Sequence, residues 1–575
     1  MSFTSVQIYT NVDTMDDASL PKDRYLHIRS NFGFSFSFVY YLYEINTTEM
    51  SKIQHILSII ALTLAFEGCQ QKESVDLILK NAKIYTLNNS FAVMQCAAIR
   101  NGKFIAISND ANIFARYTSD SILNLKGKYV YPGFIDAHAH FVDYALSLDQ
   151  IDLTDADSIS TIINLLTDFH KRYPKERIVA KGLDESLIAD SLLGGNNIFN
   201  TIFPKTPIFI WGQGYDFALI NNAFEKEFKI SLSPGYGIID ADEAKLAFSL
   251  IPRPSDERIA ELLKQAEQDC FDVGITSTTD FGCSYEDVQL IDKLQKSGSL
   301  KIPVYAILEP SAKNTDEYLR QMPYYTEQLK VLAVGLDIDG RLCQQQSVMM
   351  EPYTEDAVNG KLRISIDSLQ ALCQLAFDHG FQVCIGSSGD SATRITIKTF
   401  ADILPHKNNL RWRIENIQMI RHKDLRHIGH FNIIPSILPA QYQQNLPLLT
   451  CYFNKKTARE AFSWKQLLDQ NQGIICGSNA PYGDMNPMSI YQAATHQEKR
   501  RVTGKQSQEL TPAQALKSMT IWAAYSQFDD KQKGSIEVGK WADFIITDEN
   551  IMTSNMQAES TPAIESTYLH GKRVK

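Results

Sequence analysis

Two histidines, His138 and His140, stand one residue apart at the end of the segment Tyr131-Pro132-Gly133-Phe134-Ile135-Asp136-Ala137-His138-Ala139-His140. Pro132-Gly133 is a turn signal, and the apolar run after it reads as a strand. Residues two apart on a strand point the same way, so both imidazoles project from one face. Two such rings can share a divalent cation such as zinc. A catalytic zinc takes about three protein ligands plus a water, so the pair needs at least one further donor.

The chain around the pair alternates apolar runs with helical patterns. Candidate strands are 178–180, 207–211, 274–279, 303–308, 333–338, 381–385, 411–417, 431–437 and 473–477. Candidate helices are 158–170, 256–273, 285–295, 368–379 and 512–525, the last opening on Thr511-Pro512 as N-cap and first turn. Repeated units of this length predict a parallel sheet, and their number suits a (β/α)₈ TIM barrel with an insertion. No glycine-rich dinucleotide turn follows a strand, which disfavours a doubly wound alternative. Both chain ends are strand-rich. Near the start, Arg100-Asn101-Gly102-Lys103 is a hairpin signal between Ala97-Ala98-Ile99 and Phe104-Ile105-Ala106-Ile107. Near the end, Trp541 to Ile546 and Ser566 to Leu569 read as strands. A small β-sandwich domain assembled from 70–130 and 531–575 is the economical reading, with the barrel over 131–530.

The Pro-Gly-Phe-Ile-Asp-Ala-His-Ala-His run entering such an array resembles the first strand of the amidohydrolase superfamily. Gly534-Ser535-Ile536, Gly539-Lys540 and Ala542-Asp543 resemble the way these proteins close their β-domain. Lys181 to Glu185, Glu351-Pro352-Tyr353 and Arg413-Ile414-Glu415 are similar to the family 3 branch, which includes enzymes like N-substituted formamide deformylase. The resemblance implies a barrel mouth holding one or two divalent, zinc-like metals. Its ligands are the two-histidine motif, a carboxylated lysine, two more histidines and an aspartate. The metal lowers the pKa of its water, and the aspartate orients that water and moves its proton to the leaving nitrogen.

Only the first pair, His138 and His140, is present in this sequence. Gly335 stands at the lysine position, Gly386 and Asn416 at the histidine positions, and Asn479 at the aspartate position. The branch's Gly-His on the substrate side resembles Gly214-Tyr215. An amide oxygen is a poor ligand for a borderline-soft ion, and Asn479 cannot accept a proton at neutral pH. The replacements predict a metal that is bound weakly or not at all, and no residue is assigned as catalytic.

Three functional readings follow. In the first, the family's hydrolysis of non-peptide carbon–nitrogen bonds is impaired, and the chain is a pseudoenzyme that binds a small molecule. Asp337, Asn416 and Asn479 are then its ligand-binding candidates, against the plain alternative that the two asparagines fill vacated space. In the second, the chain is an active hydrolase with a rearranged site. Asp337 lies two residues after Gly335, and Cys384 two before Gly386, so either shares a face with the lost ligand; a salt bridge or cap for Asp337 and a core position for Cys384 are the plain alternatives. In the third, the chain is a surface-tethered structural protein. His422, His427 and His430 read as solvent-facing or capping groups.

The composition is that of a globular protein, with 44% hydrophobic and 21% charged residues. A net charge of −10, with no basic stretch, disfavours a nucleic-acid partner. Nine scattered cysteines without a CxxC pair exclude a zinc ribbon or disulfide scaffold. Residues 50–69 read as a lipoprotein-type signal: Lys52 comes first, then the uncharged run Ile56 to Phe66, then Gly68-Cys69. Cys69 is the expected lipidated residue, which makes the chain an exported bacterial lipoprotein whose membrane contact is that anchor. Residues 1–49 then read as an extension from an upstream start. No segment reaches the length of a transmembrane helix.

Overall fold

The computed structural model describes residues 24–29, 35–40, 72–109, 113–174, 176–187, 197–231, 237–354, 358–445, 447–471, 473–496, 508–553 and 562–575. The chain divides into two compact units, Met1–Glu73 and Ser74–Lys575. In the first, Arg24–Arg29 pairs antiparallel with Ser35–Tyr40, so the stretch set aside as an extension carries a strand ladder. The signal segment 50–69, with Cys69, lies outside the described residues.

In the second unit, eight parallel strands follow one another in chain order: β1 (Phe134–Ile135), β2 (Ile275–Cys283), β3 (Val304–Leu308), β4 (Leu329–Asp337), β5 (Gln382–Gly386), β6 (Arg413–Glu415), β7 (Ile434–Ile437) and β8 (Ile475–Cys476). The sheet curls until its ends meet. The Asn479 N–H donates to the His138 carbonyl at 2.8 Å, and the His140 N–H to the Ala480 carbonyl at 2.8 Å. This is the TIM barrel the sequence predicts. Strand alternation sorts its side chains. Val304, Ala306 and Leu308 pack outward with the helices, whereas Phe281, Tyr305, Ile307, Ala333 and Cys384 form a separate inner cluster. The barrel interior is therefore a packed core.

Helices between the strands bury one stripe each. Asp256–Asp272 starts where the Ser255 hydroxyl accepts the Arg258 N–H, and it buries Ile259, Leu262, Leu263, Ala266 and Cys270 at helical spacing. The predicted helix over 512–525 is two helices, Pro512–Ser518 and Ile521–Ser526. The reason is local: the Met519 carbonyl leaves the helical ladder to accept the Ile135 N–H of β1 at 2.8 Å.

Two predicted strands lie outside the barrel. Ile178–Leu183 and Ile208–Gly212 belong to a five-stranded sheet with Ile151–Asp152, Phe217–Ile220 and Ile238–Asp240, inserted between β1 and β2. Its first three strands pair in parallel and Phe217–Ile220 runs antiparallel to both its neighbours, and Leu153, Ile162, Ile178 and Ile208 give it a core of its own. Both chain ends supply a pair of further sheets. Leu77–Lys80, Cys96–Arg100, Lys103–Ser108 and Ile122–Asn124 form one; Tyr129–Pro132 joins Phe544–Thr547 and Ile564–Leu569 in the other. Leu79, Ile99 and Phe104 of the first pack with Val130, Phe544 and Ile546 of the second. The two-residue hairpin at Asn101-Gly102 has φ of 51° and 74°, the left-handed pair such a turn requires.

Asp136 fastens β1 to the last strand. Its carboxylate accepts the Ser478 N–H at 3.0 Å, the Ser478 hydroxyl at 2.5 Å and the His138 N–H at 3.3 Å. Asp136→Ala leaves these buried donors unpaired and is expected to cost about 1–3 kcal/mol. Urea denaturation checks this; an unchanged midpoint contradicts a role for Asp136 in closing the barrel.

Candidate functional site

His138 and His140 follow β1 and stand together, ring centroids 5.7 Å apart and planes at 89°. Each ring is fixed through Nδ1. His140 Nδ1 lies 2.7 Å from the Phe281 carbonyl oxygen. A carbonyl only accepts, so this nitrogen carries the proton. Burial lowers the pKa of His140, which keeps the ring neutral against the opposing pull of Asp143. His138 Nδ1 lies 2.9 Å from Glu415 Oε2. Glu415 is fully buried on β6 beside Arg413, whose Nε stands 2.5 Å from Glu415 Oε1 as an ion pair. Burial pushes this carboxyl upward, but Arg413 and His138 outweigh it and hold it at about 2. Glu415 is thus an ionised acceptor, and His138 Nδ1 donates to it. An imidazole that donates from Nδ1 and carries no second proton keeps its lone pair on Nε2, the tautomer a metal ligand needs.

The positions across from the pair do not supply further ligands. A Cβ on Gly335 would stand 2.5 Å from the Cys384 carbonyl oxygen, 2.8 Å from Ile307 and 2.9 Å from the Phe281 ring. That ring also packs on His138 at 4.8 Å between centroids. The space beside the lysine position is therefore filled. A Cβ on Gly386 would stand 1.8 Å from Asp337 Oδ1, so the Asp337 carboxylate leans over the neighbouring strand into the room left there. Asp337 is exposed at the end of β4 and near enough to raise the pKa of His140 against burial. Cys384 lies in the inner core with its Sγ 3.2 Å from Gln382 Oε1. Among the described residues, no group of three or more His, Cys, Asp or Glu could hold a metal. Two oriented imidazoles fit part of a zinc site; the donor set as a whole does not fit a catalytic one.

The asparagines sit at the mouth in left-handed backbone, at φ of 54° for Asn416 and 61° for Asn479, which Asn tolerates better than most residues. Asn416 belongs to a carboxamide cluster. Its Oδ1 accepts from Gln418 Nε2 at 3.0 Å, Gln418 also donates to Gln441 Oε1 at 2.8 Å, and Asn445 donates to Gln418 Oε1 at 3.3 Å. Asn479 contributes its main chain to barrel closure. Tyr482 covers His140 edge to face at 5.0 Å, and Tyr215 meets Tyr482 edge to face in turn. The structure thus brings His138 and His140 together, places Asp337 at the end of β4 over Gly386, and has Asn416 and Asn479 follow β6 and β8.

Sequence reasoning missed Glu415, Arg413 and Phe281. Arg413 and Glu415 are two apart on a strand, so alternation places them on one face, and their opposite charges were a usable signal. Nothing in the sequence around Phe281 marks it. His406 and His430 also meet, Nε2 to Nε2 at 3.2 Å on the exposed surface.

The fold and the site define an amidohydrolase-type barrel with two oriented imidazoles at its mouth. Residues 121–575 match the Amidohydrolase family, family 3 branch. The chain belongs to this family, whose members are metal-dependent hydrolases. It is similar to the Protein LONG AFTER FAR-RED 3 of Arabidopsis thaliana, 23% identical with 87% of this chain and 91% of that one covered. The Putative amidohydrolase YtcJ of Bacillus subtilis is also 23% identical, with 80% and 92% covered. Among solved structures, an uncharacterized metal-dependent hydrolase from Pyrococcus horikoshii has the same fold, at a TM-score of 0.72 and 22% identity over 84% of this chain and all of that one.

Glu415→Gln leaves Arg413 buried without its counter-charge and is expected to cost about 3–5 kcal/mol at pH 7. Because the folded carboxyl is held at about 2, below its ordinary 4.5, the stability it contributes is present above that ordinary value and is lost as pH falls toward 2. The difference between wild type and variant therefore shrinks across that window. Denaturation at pH 7 and pH 3 checks this; a constant difference contradicts the ionised assignment.

Proposed function

We propose that this chain is a catalytically impaired member of its family that binds a small molecule at the barrel mouth. The observation that carries the reading is the closed space beside Gly335, where a lysine side chain has no room. A metal site with two imidazoles and no base at Asn479 lacks both parts of the water-activating chemistry. The carboxamides of Asn416, Gln418 and Gln441 offer hydrogen bonds to an uncharged polar ligand instead. No nucleic acid enters this reading, given the acidic balance of the chain.

A second reading rests on Asp337. Its carboxylate occupies the room at Gly386 and influences His140, so a rearranged metal site of His138, His140 and Asp337 would form if that side chain turned toward the pair. Metal analysis separates the two. The first reading expects well under one tightly held zinc or manganese ion per purified chain. About one ion per chain, lost in Asp337→Asn together with amide hydrolysis, overturns it and establishes the second.

The signal-like segment supports a lipid anchor on Cys69, which would hold the chain at a bacterial membrane surface. Metabolic labelling with a radioactive fatty acid is expected to mark wild type and not Cys69→Ser. Equal labelling of both contradicts the anchor.

A further inference from the structure

A second concave site lies away from the histidines, in a cleft of about 500 Å³ between the inserted sheet and the helix that follows β1. None of its lining residues is His138, His140, Asp337, Asn416 or Asn479. The volume is that of a small-molecule site. Its walls are apolar: Leu146, Phe169, Val179, Phe248, Ile251 and Pro252. All but Pro252 are half-buried, so they face the opening rather than a sealed core.

Three of the four charged groups at its rim are already paired: Asp149 bonds Arg258, Arg177 bonds Glu227, and Arg253 bonds Asp287. The fourth, Glu176, is exposed at the outer edge. An anion would have to displace one of these partners and would meet Glu176, and a charge of either sign gains nothing from the apolar walls, whereas an uncharged ligand disturbs none of the pairs. One polar group is unanswered. Gln150 lines the cleft, and its Oε1 is buried without a hydrogen-bond partner. A buried acceptor left alone is costly, and a bound donor removes the cost.

We propose that this cleft binds an uncharged, largely apolar small molecule carrying one N–H or O–H donor, with the donor on Gln150 Oε1 and the apolar part between Phe169 and Phe248. The site is independent of the chemistry at the barrel mouth.

Indole and benzothiophene test this on the full chain, because they share a shape and only indole donates. Titration calorimetry is expected to show saturable one-site binding of indole, with benzothiophene about tenfold weaker, the worth of one good hydrogen bond. Gln150→Leu is expected to bring the two within about twofold by the same reckoning. Ser249→Trp, at the exposed edge of the cleft, is expected to block both without changing the unfolding temperature. The His138→Ala, His140→Ala double variant is expected to bind indole as wild type does. Absence of saturable binding, equal binding of the two probes by wild type, or loss of indole binding in the double histidine variant each overturns the proposal.

Discussion

The site depends on one buried chain of charge: Arg413 to Glu415 to His138. All three side chains are nearly or wholly withdrawn from water. An ion pair placed so deep adds little net stability, because desolvation cancels most of the attraction. Arg413 Nη1 has no hydrogen-bond partner, which makes the balance less favourable still. The effect of the pair is geometric. It keeps a carboxylate ionised inside the barrel and uses it to hold one imidazole by Nδ1. Arg413 also donates to the Ala137 carbonyl at 2.6 Å, so the same residue secures the backbone on which His138 stands. Asp136 and the backbone bonds of Asn479 complete the attachment by tying that segment to the last strand.

Around this fixed pair, side chains pack beside Gly335 and over Gly386. Phe281 packs on both imidazoles and supplies, from its own carbonyl, the acceptor that orients His140. Asp337 leans over Gly386. The two imidazoles are oriented by contacts of the kind that tune a bound metal, and among the described residues no third His, Cys, Asp or Glu stands with them as a metal-holding group. The imidazole pair, a carboxamide cluster and covering tyrosines make a surface suited to hydrogen bonding and aromatic contact.

The barrel was legible because its strand–helix alternation is written in apolar runs; the histidines expected on the first strand instead follow it, in a bend after Ile135, and still come together. The pairing of the chain ends was legible from the Asn101-Gly102 turn and the terminal strands. Two kinds of fact were not. Alternation could not tell Ile178–Leu183 and Ile208–Gly212 from barrel strands, since an inserted sheet with its own core has the same local pattern. The part played by Phe281 was equally hidden, because an aromatic on a buried strand is ordinary until its neighbours are known. Asp337 was placed on the correct strand end by counting residues, but its lean across Gly386 depends on a space that only three dimensions reveal.

Nitrogen-15 spectra of the imidazoles test the tautomer assignment most directly. For both His138 and His140 at neutral pH, Nδ1 is expected to show the shift of a protonated nitrogen and Nε2 that of an unprotonated one, with the His138 pattern lost in Glu415→Gln. Protonated Nε2 atoms in the wild-type chain would contradict the assignment, because the two rings would then offer no lone pair to the mouth.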